Sequence, residues 1–233
     1  MSNVLFILGS RNVESKQLAF ARSLAGLLMK DGVDCEILTP NDWKLHSVKD
    51  GSVFVTGIDS ADEIEEDSGK WLKEKLISCD LLVLGTPVYA HAVSADIKLL
   101  IERISGWLHI FRLLGKPGVS IVSASNNGFT EVQNYLEFIM ESLGVELIED
   151  VVLLDQQGRF DSQLRQVYEA IHRALMPGRK PRVGRIAEQQ FTYYKRIFAN
   201  RPRDLAEPRY WEERGWFDYD SLQQYLNSGG RSK

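Results

Sequence analysis

Five short apolar runs recur along the first three quarters of the chain, each followed by a longer stretch in which apolar positions repeat every three or four residues. Residues 4–8, 35–38, 81–84, 119–123 and 145–154 read as strands, and residues 15–29, 70–77, 95–108, 130–143 and 162–175 as helices. In the first helix Leu18, Ala21, Ala25 and Leu28 fall on one face, and Asp31-Gly32 marks the turn into the second strand. Strands apolar throughout and separated by helices of this length are buried on both sides, which calls for an α/β fold with a parallel sheet. Residues 39–69 interrupt the pattern. They are polar, carry an acidic run over 59–67, and read as an exposed excursion in which residues 52–56 offer a short strand.

The pattern changes again at residue 177. Pro and Gly punctuate PGRKPRVGR, a helical stretch follows over 187–198, and Trp211, Trp216, Phe217, Tyr219 and Tyr225 come after it. A disordered segment does not hold so many aromatics, yet 57 residues make a small core alone. Residues 1–176 are therefore expected as one domain, and residues 177–233 as an extension lying across that domain or a neighbouring subunit.

Composition sharpens this division. The net charge of −4 conceals a first region with 16 Lys or Arg against 25 Asp or Glu and a tail with 12 against 7. Opposite signs favour contact of the tail with its own body or with a second subunit, as in a homodimer or homotetramer. Arg179, Lys180, Arg182 and Arg185 could track a nucleic-acid backbone, but the acidic body and the acids within the tail argue for protein contacts instead. No apolar run approaches the roughly 20 residues that span a bilayer, and the amino terminus enters a strand without the features of a signal peptide. The expectation is a cytoplasmic protein without membrane attachment. Cys35 and Cys79 lack metal-ligand spacing and read as core thiols, while His46 and the acids of 59–67 read as an exposed face rather than a metal site.

Candidate chemistry lies in three loops, each at the carboxyl end of an expected strand, where open α/β sheets bind small molecules. The first, Gly9-Ser-Arg-Asn-Val-Glu-Ser15-Lys-Gln17, offers hydroxyls and the N–H groups that open a helix, a setting suited to phosphate, with a plain helix cap at Ser15 as the lesser reading. It has neither P-loop nor dinucleotide-fold spacing. The second runs from Gly85 through Thr86-Pro-Val-Tyr-Ala-His91 to Ser94; its proline is stiff and Tyr89 provides an aromatic wall. In the third, Ser123-Ala-Ser-Asn-Asn-Gly128, amides and a glycine permit close polar contact.

The segment LLVLGTPVYAHAVSADIKLLIER (81–103) resembles the isoalloxazine-binding loop of the NADPH-dependent FMN reductase family and its iron-sulfur flavoprotein relatives, where Gly-[Ser/Thr]-Pro-x-Tyr precedes a Ser, a Lys and an Arg. The first loop is similar to that family's Gly-Ser-Pro-Arg-x-x-Ser-Asn-Thr. Gly9, Ser10 and Ser15 match it, whereas Arg11, Asn12, Lys16 and Gln17 stand where the pattern has Pro, Arg, Asn and Thr. Glu14 would have to point outward, away from a phosphate. The resemblance implies a flavodoxin-like three-layer sandwich with strand order 2-1-3-4-5. It also implies FMN as cofactor and NAD(P)H as electron donor, with a quinone, free flavin, nitro compound or other small molecule as acceptor. Ser10, Arg11, Ser15, Lys16 and Gln17 would serve the phosphate, Thr86, Pro87, Val88, Tyr89 and Ser94 the ring, and Ser125, Asn126, Asn127 and Gly128 its polar edge. Lys98 and Arg103 would be architectural. No protein nucleophile is needed, since the cofactor carries such chemistry. His91, which the motif does not place, is either a solvent-facing loop residue or a positioner of substrate. The relatives' iron-sulfur cluster has no counterpart, because two cysteines cannot supply four thiolates. Two other readings stand beside this one: an electron carrier that does not itself oxidise NAD(P)H, and an interaction protein that has lost the cofactor.

Overall fold

The three most apolar runs become the three central strands because only a strand with neighbours and helices on every side can bury them. A computed structural model describes residues 2–155 and 158–230. In it β1 (Asn3–Leu8), β3 (Leu81–Pro87) and β4 (Pro117–Ala124) are almost wholly buried, while β2 (Asp34–Leu38) and β5 (Glu146–Leu154), with more polar residues, form the edges. The order is β2-β1-β3-β4-β5 and every pairing is parallel, with Val4 beside both Cys35 and Leu81, and Leu82 beside Gly118. This is the flavodoxin-like arrangement that the resemblance implied.

Alternation along β1 sorts its side chains into two layers. Val4, Phe6 and Leu8 pack with Leu18, Phe20 and Leu24 of α1 (Lys16–Lys30) and with Val167 and Ile171 of α6 (Phe160–Ala174). Leu5 and Ile7 face the other layer, built by α3 (Gly69–Ser78), α4 (Ala95–Arg103) and α5 (Phe129–Ser142). Cys79 is buried there, and Cys35 lies half-buried at the sheet edge, where burial pushes its thiol up to about 11.

Three expectations are corrected. Residues Ser52–Thr56 form a short helix, α2, not a strand. Glycines flank it, and Phe54 stacks on His109 with ring centroids 5.4 Å apart, so tertiary contact outweighs the strand preference of Val-Phe-Val. The helix that opens at residue 95 stops at Arg103 and gives way to a 3-10 helix over Ser105–Ile110. Finally, the acidic run is not simply an exposed face. Asp59 and Asp67 are buried around the Arg103 guanidinium, whose Nε donates to Asp59 (2.5 Å), Nη2 to Asp62 (2.6 Å) and Nη1 to Asp67 (2.7 Å). Lys73 bridges Asp59 and Asp62, and the His46 N–H donates to Asp67 at 2.7 Å. Burial works against the Asp67 carboxylate, but Arg103 and the N–H groups of His46 and Gly69 outweigh it and bring it down to about 2. The knot pins the excursion to the end of α4 and so fixes the helix that begins at the second loop.

Beyond α6 the chain builds a third apolar cluster from α7 (Arg185–Ala199), α8 (Ala206–Glu213) and α9 (Leu222–Asn227). Trp211 and Trp216 are fully buried against Phe191 and against Phe111, which the main domain supplies. Phe191 stacks on Trp211 at 4.9 Å, and the Trp211 indole N–H donates to the His109 carbonyl at 2.9 Å. Glu188 receives the Leu222 and Gln223 N–H groups that open α9.

Candidate functional site

The carboxyl ends of β1, β3 and β4 bring the three loops to one rim, and glycines set how closely they meet. The Gly9 N–H donates to the Gly85 carbonyl at 2.7 Å. A Cβ at Gly9 would lie 2.4 Å from Ile97 Cγ1 and 2.5 Å from Ser94 Oγ, so the first loop fits against the second only without a side chain there. Gly128, at φ +74°, likewise abuts Val88 and His91.

In the first loop Ser10 is buried and accepts from the Asn12 N–H at 3.2 Å, while Asn12 Oδ1 accepts from the Glu14 N–H; Glu14 itself is exposed. Ser15 occupies the N-cap position of α1 without forming the cap bond, and its buried Oγ has no partner. Gln17 is fully buried, with both ends of its amide unpartnered and Oε1 close to Gly85 beneath the loop. Each buried polar group left in this state costs about 1–3 kcal/mol. The N–H groups of the first turn of α1 also have no intrahelical partner and carry the positive end of the helix dipole. Ser15, Gln17 and the start of α1 therefore gather unsatisfied polar groups at one strand end, beside the buried Ser10 hydroxyl.

Arg11 and Lys16 lie on the same rim but already have partners. Arg11 forms a fork with Asp96, at 2.6 and 3.1 Å, and donates to the Pro40 carbonyl, while Asn41 Nδ2 donates back to the Arg11 carbonyl. Lys16 sits 2.5 Å from Asp155 at the end of β5. Hydrogen bonds from Lys16 and then Ser125 hold the Asp155 carboxyl below its usual range, tying the first loop to the third.

The second loop is stiff. Thr86 Oγ1 donates to the Pro87 carbonyl and accepts the Ser94 N–H, both at 3.0 Å, and Ser94 Oγ accepts the Ile97 N–H that opens α4. Thr86 and Ser94 are buried, so their side chains shape the loop from within. The Val88 N–H donates to the Ser123 carbonyl. Tyr89 and Ala92 exchange backbone hydrogen bonds around Ala90 and His91, which adopt φ of 49° and 59°. Left-handed conformations at two residues with side chains are costly and persist only when held from outside. His91 Nδ1 meets Glu131 at 3.3 Å across the turn. With the Val88 and Tyr89 N–H groups used internally, exposed Ser125, Asn126 and Asn127 remain for contact with a ring edge, and the exposed Tyr89 side chain offers a flat wall.

Sequence reasoning missed Asp96, Asp155 and Glu131. Asp155 alone carried a signal, because it ends the fifth strand on the rim already assigned to the loops.

Residues 2–159 match the family model described as NADPH-dependent FMN reductase. An iron-sulfur flavoprotein of Methanocaldococcus jannaschii is 29% identical over 136 residues, covering 55% of this chain and 65% of that protein. An FMN-dependent NADPH-azoreductase of Staphylococcus aureus is 30% identical over 139 residues, covering 60% and 69%. The match to the archaeal protein thus spans less than two thirds of its length. Among solved structures, the apo form of an NADH:FMN oxidoreductase aligns with a TM-score of 0.57 at 16% identity, over 78% of this chain and 95% of the other. RosB, with bound 8-demethyl-8-formylriboflavin-5'-phosphate, aligns at 0.55 and 16% identity over 98% and 86%, a likeness of fold that takes in the C-terminal helices.

Proposed function

Because this chain belongs to the NADPH-dependent FMN reductase family, we propose that it is an FMN-dependent oxidoreductase that draws electrons from NAD(P)H and passes them to a small organic acceptor. The observation that carries the reading is the unsatisfied Ser15 hydroxyl beside the open first turn of α1, on the rim where the other two loops converge. The residues fit the phosphate of FMN: Ser10, Ser15 and the N–H groups of α1 would hold it, with the Gln17 amide at the floor. Bound FMN would supply a hydride-accepting ring, and the protein supplies position and solvent control.

Arg11 and Lys16 tune this cradle through competition. Each is already paired with a carboxylate, so an incoming phosphate would share them with Asp96 and Asp155 rather than find bare cations. Pro87 and Val88, fastened to Ser123, hold the second loop in place, and the exposed Tyr89 side chain would offer a wall to the ring. Ser125 to Asn127 would contact its polar edge, with Ser125 oriented by its hydrogen bond to Asp155. The extension would bear on oligomerisation through its surface and not on the rim chemistry.

Anaerobic stopped-flow mixing of the FMN-loaded protein with NADPH or NADH is the test. Rapid bleaching of the flavin absorbance is expected. Bleaching only by another reduced protein would make the chain an electron carrier, and failure to bind FMN at all would make it an interaction protein.

A further inference from the structure

A cavity of about 550 Å³ lies at the amino end of the sheet, in the seam where residues 112–117 and the end of α3 meet Lys180, Pro181 and α9 of the extension. We infer that it binds a small organic anion with an apolar ring body, an aromatic carboxylate in chemical class, at a site separate from the flavin rim. Pro117, which lines the cavity, opens β4, and Ala124 ends that strand at the rim; its eight residues put roughly 23 Å between the two. A ligand that fits this cavity touches none of the three loops.

Shape and charge point the same way. Leu113 and Leu114 are buried in the lining, and Pro117, Pro181 and Leu226 add apolar walls from both sides of the seam. A Cβ at Gly115 would lie 3.3 Å from Pro181 Cγ, so body and extension are packed together here and the cavity is a hollow between them. Its volume is that of a site for a small organic molecule.

Arg112, Lys116 and Lys180 line this surface, and Asp80 is the one acid among the described residues that do so. The Asp80 carboxylate accepts the Asn3 N–H at 2.9 Å, and Arg112 donates to the Tyr210 hydroxyl at 3.4 Å. The two lysines are not neutralised. Lys116 Nζ donates to the main-chain carbonyls of Ile77 and Cys79, which fix the ammonium without cancelling its charge and leave one of its three protons for a ligand. Lys180 is exposed, with no hydrogen bond or ion pair among the described residues. The carbonyls beside Lys116 stand at the negative end of the α3 dipole, and no described lining residue opens a helix. That setting suits the single charge of a carboxylate better than a phosphate dianion.

The test titrates 2-naphthoate, its uncharged analogue 2-naphthamide and 2-naphthyl phosphate calorimetrically into protein saturated with FMN. Naphthoate should bind at least about tenfold more tightly than the amide, the worth of a hydrogen bond to a charged group, and the phosphate no more tightly than naphthoate. Lys180→Glu should weaken naphthoate roughly three- to tenfold at low salt and leave the amide unchanged, and Lys116→Met should weaken naphthoate at least as much. Should Lys116→Met fail to fold, Lys180→Glu, at an exposed position, carries the test alone. Naphthoate binding no tighter than the amide, tighter binding of the phosphate, or naphthoate affinity untouched by the substitutions would overturn the inference. FMN affinity, titrated separately, should be unchanged in Lys180→Glu, and its loss would show that the cavity is not a separate site.

Discussion

Two clusters of polar groups lie at opposite ends of α4, and they are built on opposite terms. At its carboxyl end Arg103 is sealed from solvent with Asp59 and Asp67, Asp62 stands partly exposed beside them, and all of the guanidinium nitrogens donate to carboxylate oxygens. Beside its amino end, the Ser15 hydroxyl and the Gln17 amide are just as sealed but donate to nothing and accept nothing. A folded chain tolerates an unsatisfied buried group only where something else compensates. The satisfied cluster is therefore read as structure and the unsatisfied one as the place for a ligand. The distinction lies in the hydrogen-bond accounting and not in residue type, since both clusters are rich in groups that suggest chemistry.

The largest effect should come from breaking the satisfied cluster. Arg103→Met would leave buried carboxylates without their counter-charge and should cost about 3–5 kcal/mol in urea unfolding. Its pH dependence is a sharper signature. Asp67 is held near 2, below the value of a free carboxyl, so its contribution is complete above about pH 4 and is lost as pH falls toward 2. The loss should amount to about 2 kcal/mol in the wild type. In Arg103→Met the sign reverses: an unpaired buried carboxylate prefers its proton, so lowering the pH from 7 to 4 should stabilise the variant relative to the wild type.

A smaller effect is expected where the loops meet. Gly9→Ala drives a methyl group against Ile97 and Ser94 and should cost about 1–3 kcal/mol of stability, with FMN affinity falling at least tenfold in a fluorescence titration. Gly26→Ala, in open space within α1, is the control and should stabilise by about 0.5–1 kcal/mol. Equal outcomes for the two glycines would remove the argument from close approach.

The smallest effect has the opposite sign. Gln17→Leu removes an unpartnered amide from the interior and should raise the stability of the FMN-free protein by about 1 kcal/mol while weakening FMN binding. Destabilisation would show that Gln17 has hydrogen bonds after all.

Much of this fold was legible in the sequence, for a physical reason. β1, β3 and β4 are buried on both sides, so their apolar runs are unbroken, and each is followed by a helix whose period shows. The strand order came from the resemblance of residues 9–17 and 81–103, not from periodicity. What escaped was fixed by partners distant in sequence. The acids of 59–67 resemble a solvated run until Arg103, 36 to 44 residues onward, folds back into them. Residues 52–56 have the composition of a strand, but their neighbours are His109 and α8. Arg11 and Lys16 were assigned to a phosphate on charge alone, and the carboxylates that engage them, Asp96 and Asp155, lie 85 and 139 positions away. The aromatic tail announced a core but not its site, because the central residue it needs, Phe111, belongs to the main domain.

The central claim is that the unsatisfied groups at the start of α1 await a phosphate. Thermal unfolding of the flavin-free protein with FMN or with riboflavin, which shares the ring but lacks the phosphate, tests it most directly. FMN at about 100 times its dissociation constant should stabilise by about 2.7 kcal/mol, and riboflavin at the same concentration should do far less. Equal stabilisation by the two, or none by FMN, would contradict the account.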